Sequence, residues 1–287
     1  MRGPVFVFKF VGACLLIGAS CGTQGPRHNS GLTFVVVNVG EGLSQIATSS
    51  SEAIVFDVGD TGASASWTNA YNGLGKPRIG AIIISHSRAD HMGGLSRLPE
   101  ALDFSGEIVA DMYEDTSLIR ATCGSWAGRM HFRLIGMGDT VSGPFGVAAI
   151  CLWPPKDLVL PTPIPDSIKN VYSLCFVVQY QSSSVLITSD IDTTAERTLS
   201  TRFGFGLMAD AIVVPDHGSA GSVDPVFYGY VAPSTAILSC GAQNPFGHPA
   251  ANVLAMLFQM HARLYQTAVI GTVTAFTDGY YWSVSGE

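Results

Sequence analysis

The sequence predicts a single domain of the α/β class. Short apolar runs rich in β-branched residues indicate buried strands, and they include 34–37, 82–84 and 211–214. Three further segments have helical character, and they are 95–102, 194–201 and 250–264. A chain of 287 residues suits one α/β domain of ordinary upper size. The 32 glycines and the 13% content of charged residues fit many tight turns around a well-buried core.

Residues 1–21 are typical of an export signal. A basic start precedes a short apolar core at 10–19, and small residues lead to Cys21. Cys21 is therefore a candidate for lipid attachment, as in bacterial lipoproteins. Gly18 stands where such signals usually carry leucine, so ordinary cleavage stays open as an alternative. A membrane-anchoring helix is disfavoured, because the apolar core is too short.

A polar segment with proline and glycine follows the signal, and we interpret 22–31 as a linker that leads to a domain at 32–287. No later segment approaches the length of a membrane span. We therefore expect an exported protein that is periplasmic, extracellular or held on the outer face of the membrane. Its only expected contact with the membrane is a lipid on Cys21.

The net charge excludes one class of partner. With a formal charge of −7, a pI near 5.4 and no cluster of lysine and arginine, the chain lacks the basic surface that strong non-specific binding of nucleic acid requires. We expect a small-molecule or polymeric substrate that is held at a local site.

The segment 85–91, Ser-His-Ser-Arg-Ala-Asp-His, carries the strongest functional signal. It follows the strand-like run 79–84, so His86, Asp90 and His91 fall in a short turn at the end of a strand. Imidazole and carboxylate groups are the usual ligands of a hydrolytic metal ion. A chance polar turn is the alternative for this heptapeptide alone.

Two other predicted strands end in groups of the same kind. Asp190 ends the apolar run 185–190, and His217 follows the run at 211–214. In layered α/β folds, sites are assembled from loops at such strand ends. We therefore expect His86, Asp90, His91, Asp190 and His217 to converge on one metal ion.

Further motifs follow in a recognisable order, and they are 38–42 (NVGEG), 57–60 (DVGD), 85–91 with Gly93 and Gly94, Asn170 with Ser173, 188–190 (TSD), 216–222 (DHGSAGS), 244–249 (NPFGHP) and 265–267 (YQT). Together they resemble the metallo-β-lactamase-like hydrolases, specifically the branch that includes the hydrolase domain of the competence protein ComEC. The resemblance covers about 34–271, which is nearly the whole predicted domain.

The resemblance implies a four-layer αββα fold, in which two sheets lie between helices. It also implies hydrolysis that depends on a divalent metal, zinc or manganese, with a phosphodiester or other phosphate ester as substrate. Nucleic acid and a cell-envelope substrate are both open, because an exported phosphorylcholine esterase belongs to the same branch. The proline-rich segment 153–165 is predicted to be a long loop at the rim of the site.

The chain departs from the family pattern at the first metal position. Arg88 stands where an acid or histidine usually binds the first ion, and a guanidinium has no lone pair to donate. Asn170 lies near a common histidine position, and Asp216 replaces the first histidine of a His-His pair. The second position keeps its donors, namely Asp90, His91, Asp190 and His217. We therefore predict one ion.

Two interpretations of Arg88 stay open. In the first, the chain has lost a catalytic metal and is a binding or scaffold protein that keeps the fold. In the second, the guanidinium holds a phosphate where a metal would have polarised it. In the predicted mechanism Asp90 and Asp190 orient water, while Arg88 or His248 stabilises the charge of the substrate. A pairing of Arg88 with Asp216 is a further hypothesis.

Several polar residues near these motifs have a structural alternative. His248 contacts substrate or begins a helix. Asp57 and Asp60 are predicted to shape a glycine turn rather than bind an ion, and Ser219 and Ser222 to cap the next helix. No disulfide is assigned among the four cysteines outside the signal, which are Cys123, Cys151, Cys175 and Cys240.

Overall fold

Two β-sheets face each other, and helices cover the outer side of each sheet. The computed structural model describes residues 31–49, 51–98, 102, 104–143, 146–161 and 164–287. The predicted signal, with Cys21, and the linker up to residue 30 lie outside the described residues.

The strands are β1 (Leu32–Val36), β2 (Ser44–Ser49), β3 (Glu52–Val58), β4 (Arg78–Ile84), β5 (Phe104–Asp111), β6 (His131–Ile135), β7 (Thr140–Ser142), β8 (Ala148–Trp153), β9 (Cys175–Tyr180), β10 (Ser183–Ile187), β11 (Ala211–Val213), β12 (Thr235–Leu238), β13 (Arg263–Gln266), β14 (Val273–Thr277) and β15 (Trp282–Gly286). The α-helices are α1 (Ser64–Gly73), α2 (Ala89–Met92), α3 (Thr116–Cys123), α4 (Thr193–Phe203), α5 (Pro225–Val231), α6 (Ala251–Gln259) and α7 (Thr267–Ile270).

Both sheets are mixed. The first has the order β15-β14-β1-β2-β3-β4-β5-β6, and the second has the order β13-β12-β11-β10-β9-β8-β7. In the first sheet β3 to β6 are parallel, and in the second β10 to β13 are parallel. The remaining pairs are antiparallel. The parallel strands of each sheet end at one edge, where their loops meet.

Apolar side chains fill the space between the sheets and the space under the helices. The layer between the sheets includes Phe34, Ile83, Phe176 and Val213. Trp67 of α1 and Ile119 of α3 pack on the outer face of the first sheet, and helices α4, α5 and α6 pack on the outer face of the second through Leu199, Phe227 and Val253. This confirms the predicted four-layer αββα fold.

The strand β4 shows why its sequence is a continuous apolar run rather than an alternating one. Ile83 points into the layer between the sheets, whereas Ile82 and Ile84 point toward the helices. Because both faces of the strand are buried, both sets of side chains are apolar.

Two helix predictions need correction. Residues 95–102 contain no α-helix among those described, because the chain there forms a short 3-10 turn, Gly93–Arg97. At Gly94 an added Cβ would lie 2.2 Å from the Val58 carbonyl oxygen, so the turn packs directly on β3. The third predicted helix ends at Gln259, since His261 adopts a left-handed φ of 55° and β13 begins at Arg263.

The other local predictions agree with the structure. Helix α4 covers the predicted 194–201, and the described residues of 154–165 form neither helix nor strand. The four cysteines of the domain are buried free thiols. Among the described residues, no helix combines the length and the apolar character that crossing a membrane requires.

Candidate metal centre

Strand ends from both sheets meet at one edge of the sandwich. The turn after β4 carries His86, Asp90 and His91, and the turn after β10 carries Asp190. The short segment after β11 carries His217. The site therefore draws its side chains from the carboxyl ends of parallel strands in two different sheets.

Four of the five predicted ligands form a tight cluster. One ligand atom each from Asp90, His91, Asp190 and His217 lies within 4.8 Å of all the others. The Nε2 atom of His91 is 3.1 Å from Asp190 Oδ2. The Nε2 atom of His217 is 3.6 Å from Asp190 Oδ1 and 3.7 Å from Asp90 Oδ2. His86 stands at the margin, with its Nε2 atom 3.7 Å from Asp190 Oδ2.

Hydrogen bonds at the opposite ring nitrogen orient all three histidines. His91 Nδ1 is 2.8 Å from Asp57 Oδ2, and His217 Nδ1 is 3.1 Å from the Ser239 carbonyl oxygen. His86 Nδ1 is 3.0 Å from Ser85 Oγ, whose own hydrogen is donated to Asp57. Each neutral ring therefore carries its proton on Nδ1 and directs the Nε2 lone pair into the cluster.

The cluster leaves buried polar atoms without partners among the described residues. They include Nε2 of His86, Nε2 of His217 and Oδ1 of Asp190. Lone pairs on nitrogen and carboxylate oxygen face each other here, and a buried arrangement of that kind is favourable only with a positive charge between them. These donors, imidazole and carboxylate, fit a divalent metal ion.

The pKa values of the cluster also indicate that a positive charge is favourable among these groups. Burial disfavours the charged form of His217, but Asp190 and Asp90 outweigh burial and raise its pKa to about 9. Burial raises the pKa of Asp90, but the bond from His217 and the charge of His91 outweigh it and bring the pKa to about 2. Burial and the neighbouring His91 lower the pKa of His86 to about 3. A proton on His217 thus occupies the role that a cation would take.

Four non-glycine residues of the site have left-handed backbone conformations. Their φ values are 53° for Asp57, 48° for Ser189, 48° for Asp216 and 53° for His217. Such conformations are unfavourable for residues with a Cβ and concentrate at functional sites. Nothing in the residue types of the sequence signals this strain.

The hypothesis that Arg88 pairs with Asp216 is wrong. The Arg88 Nη2 atom donates to the carbonyl oxygen of Asp166 at 3.0 Å. Asp216 instead accepts from Asn170 Nδ2 at 3.2 Å and from Ser222 Oγ at 3.4 Å. Asn170 Nδ2 also lies 3.4 Å from Asp190 Oδ2, so its amide bridges the two carboxylates.

His248 lies beside the cluster rather than in it. Its ring stacks on His217, with the ring centroids 6.3 Å apart. Its Nδ1 atom is 2.8 Å from Glu41 Oε1, and the other Glu41 oxygen accepts from the backbone nitrogen of Gly241. Sequence reasoning missed Glu41, although it belongs to the glycine turn that carries part of the family resemblance.

Asp57 is the second residue that sequence reasoning undervalued. It was predicted to shape a turn, yet its carboxylate accepts from the backbone and hydroxyl of Ser85 and contacts His91 Nδ1. The turn-shaping prediction holds for Asp60, whose Oδ1 accepts from the backbone nitrogen of Gly62. The signal for Asp57 was its position inside an apolar strand, where an acid is buried only with partners.

The prediction that Ser219 and Ser222 cap the next helix is also wrong. Helix α5 is capped by Asp224, which accepts from the backbone nitrogens of Val226 and Phe227. Ser222 bonds Asp216 instead, and Ser219 accepts from the backbone nitrogen of Gly221. A carboxylate followed by proline is as good a helix start as serine.

Similar proteins include competence proteins of bacteria. No family model matches the chain. The chain is 24% identical over 252 residues to competence protein ComA of Neisseria gonorrhoeae, which covers 86% of the chain and 32% of the relative. It is 34% identical over 122 residues to ComE operon protein 3 of Bacillus subtilis strain 168, which covers 41% of the chain and 16% of the relative. The chain thus spans about a third or less of these relatives.

A solved structure has the same fold. The metallo-β-lactamase fold protein YhfI from Bacillus subtilis superposes with a TM-score of 0.55 at 12% identity, covering 89% of this chain and all of that one. This neighbour supports the fold that the motifs predicted. The chain therefore has the metallo-β-lactamase fold and is similar in sequence to competence proteins of the ComEC type.

Proposed function

We propose that this protein is an exported metal-dependent hydrolase that cleaves a phosphodiester or another phosphate ester. The observation that carries the proposal is the buried cluster of Asp90, His91, Asp190 and His217, whose ligand atoms lie within 4.8 Å of one another. Two imidazoles and two carboxylates suit a single zinc or manganese ion. His86 lies at the margin of the cluster and has too few neighbouring donor groups to hold a second ion.

When bound, a divalent ion lowers the pKa of an adjacent water and polarises a phosphoryl oxygen. The chain supplies the rest of the chemistry. Asp190 and Asp90 accept hydrogen bonds from the attacking water and fix its direction. Asp57, through His91, holds the ligand set in its orientation.

Arg88 is suited to bind the substrate phosphate. Its side chain has one hydrogen bond among the described residues, to the carbonyl of Asp166. The remaining N–H groups of the guanidinium are available for a bidentate contact with an anion. His248, oriented by Glu41, is the second residue placed to stabilise charge on the substrate.

The export signal and a lipid on Cys21 would put this activity outside the cytoplasm. A cell-envelope phosphoester and nucleic acid are both compatible with the site. The net charge of −7 disfavours a long polyanion, since no basic surface would hold it.

Metal content and turnover test the proposal together. Elemental analysis of the dialysed protein should find about one tightly bound ion per chain, because one position retains four donors. Hydrolysis of bis(p-nitrophenyl) phosphate with zinc or manganese should be lost in His217→Ala, together with the ion. The matched control is His131→Ala, an exposed histidine on β6. Two ions per chain, or activity that survives His217→Ala, would contradict the proposal.

The second candidate is a binding or scaffold protein that has kept the fold. The observation that favours it is Arg88 at the first metal position, together with Asn170 and Asp216 where relatives place histidines. A wild-type protein that binds one ion yet turns over no phosphodiester would support this alternative.

A further inference from the structure

The loop between β12 and α6 holds an exposed aromatic ring beside the metal centre. Phe246 is 68% exposed although its ring stacks on His248, with the centroids 5.5 Å apart and the planes 23° apart. His248 in turn stacks on His217, with an interplanar angle of 17°. Three nearly parallel rings therefore lead from a candidate metal ligand to solvent.

Side-chain hydrogen bonds hold this loop in place on both sides of His248. Asn244 Nδ2 donates to the carbonyl oxygens of Gly241 and His248, and Asn244 Oδ1 accepts from the backbone nitrogen of His248. Glu41 holds the His248 ring from the other side. One face of the Phe246 ring is therefore fixed against His248, and the exposed remainder faces outward in a set orientation.

We propose that Phe246 is a stacking platform for a planar, nucleobase-type ring carried by the phosphoester substrate. The proposal rests on the proposed function, because the phosphate of the substrate would be held at the metal centre. Exposing a large aromatic ring costs solvation free energy, and bases stack on aromatic side chains beside the sites that bind their phosphates. The His217–His248 and His248–Phe246 centroid distances are 6.3 Å and 5.5 Å, so the Phe246 ring lies no more than about 12 Å from the ring of His217.

A nucleotide and its base-free analogue separate the stacking contribution from phosphate binding. The full-length metal-loaded protein is titrated calorimetrically with adenosine 5′-monophosphate and with ribose 5-phosphate. Stacking on an aromatic side chain predicts that the wild type binds the nucleotide about tenfold more tightly. Phe246→Ala should abolish that preference without changing metal content, and Phe246→Trp should retain it. Phe258→Ala, an exposed phenylalanine on α6, is the matched control and should behave as the wild type.

Equal affinity for the two ligands in the wild type, or a preference that survives Phe246→Ala, would overturn the proposal. Binding of choline phosphate that is tighter than binding of the nucleotide and depends on Phe246 would also overturn the proposal, because the ring would then recognise a quaternary ammonium group. These outcomes are distinct from failure of the proposed function. If the protein prefers the nucleotide through Phe246 but turns over no phosphodiester, the stacking proposal stands and the proposed hydrolase function is wrong. If it turns over a phosphodiester without that preference, the hydrolase function stands and the stacking proposal is wrong.

Discussion

At the scale of single residues, the candidate metal ligands are oriented by groups that would not touch an ion. Asp57 is buried, receives two hydrogen bonds from Ser85 and contacts His91 Nδ1. It therefore positions one candidate ligand, His91, directly and the neighbouring His86 through the Ser85 hydroxyl. Partners of this kind set the orientation and the basicity of metal-binding histidines.

Replacing Asp57 should weaken metal binding while the four proposed ligands stay in place. We expect Asp57→Asn to lower ion affinity by roughly 10- to 100-fold, because the amide stabilises the His91 proton less well. Equilibrium dialysis against zinc measures the change. Asp60→Asn is the matched control, since the one side-chain hydrogen bond of Asp60 among the described residues comes from the backbone nitrogen of Gly62. Equal affinities of the two variants would contradict a positioning role for Asp57.

Substitutions of Arg88 distinguish an enzyme that uses the guanidinium from a protein that has lost a catalytic metal. If the guanidinium binds the phosphate, Arg88→Ala should abolish phosphodiesterase activity with metal content unchanged. If it is the result of drift, the wild type should be nearly inactive, and Arg88→Asp should gain both a second ion and activity, because a carboxylate returns the missing donor.

Turnover of a chromogenic phosphodiester and elemental analysis are measured on the wild type and both variants. Activity in the wild type that persists unchanged in Arg88→Ala would exclude the phosphate contact. A variant Arg88→Asp that holds two ions and remains inactive would exclude simple drift.

At the scale of the elements, helices α4 and α5 enclose a carboxyl group that is costly to ionise. Burial raises the pKa of Glu196 to about 8. One of its oxygens accepts from the backbone nitrogen of Asp224 at 2.6 Å, and the other has no partner among the described residues. A carboxyl that is protonated in the folded state and ionised in the unfolded state makes folding less favourable as the pH rises.

The sign of the resulting pH dependence is definite. Glu196 is neutral in both states well below pH 4.5, and its contribution to stability is lost as the pH rises from about 4.5 to about 8. The free energy of unfolding of Glu196→Gln minus that of the wild type should be larger at pH 8 than at pH 4. We expect this increase to be on the order of 2–4 kcal/mol. Urea unfolding at the two pH values measures it. Asp157→Asn, an exposed carboxylate, should show no such difference.

Sequence patterns predicted strands better than helix ends. Buried strands such as β4 and β11 can be predicted from the sequence because both of their faces are apolar. The helix predicted at 95–102 failed because close packing of Gly94 on β3 outweighs local propensity. The metal ligands could be predicted from strand-end motifs, whereas Glu41 and Ser239 could not. Their role depends on which loops meet, and Ser239 contributes only a carbonyl oxygen, which every residue has.

At the scale of the whole molecule, the candidate metal centre joins the two sheets. Asp90 and His91 follow β4 of the first sheet, while Asp190 and His217 follow β10 and β11 of the second. Without a cation, like-polarity groups face each other across this junction. An ion held there would link both sheets and bind only the folded chain, so its binding free energy would add to the stability of the fold.

Removal of the ion should therefore destabilise the sandwich. At an ion concentration one hundred times the Kd, binding contributes about 2.7 kcal/mol, so chelation with EDTA should lower the Tm by about 5 °C or more. Calorimetry with and without EDTA measures the shift, and added zinc or manganese should reverse it. In His217→Ala the shift should disappear. A Tm that chelation leaves unchanged in the wild type would show that the sheets do not depend on the ion.

The direction of β1 determines where the predicted linker joins the domain relative to the candidate metal centre. The chain enters β1 at Leu32, where the strand pairs with the far end of β14 at Thr277. It leaves β1 toward Glu41, which bonds His248 at the metal centre. The end of the predicted linker and the candidate metal centre therefore lie at opposite ends of β1. They are separated by the five residues of β1, roughly 17 Å, and by the turns at each end. In the lipid-anchored form that we propose, the tether would thus join the domain at the end of β1 that is remote from the metal centre, so it would not have to pass over the site to reach the domain.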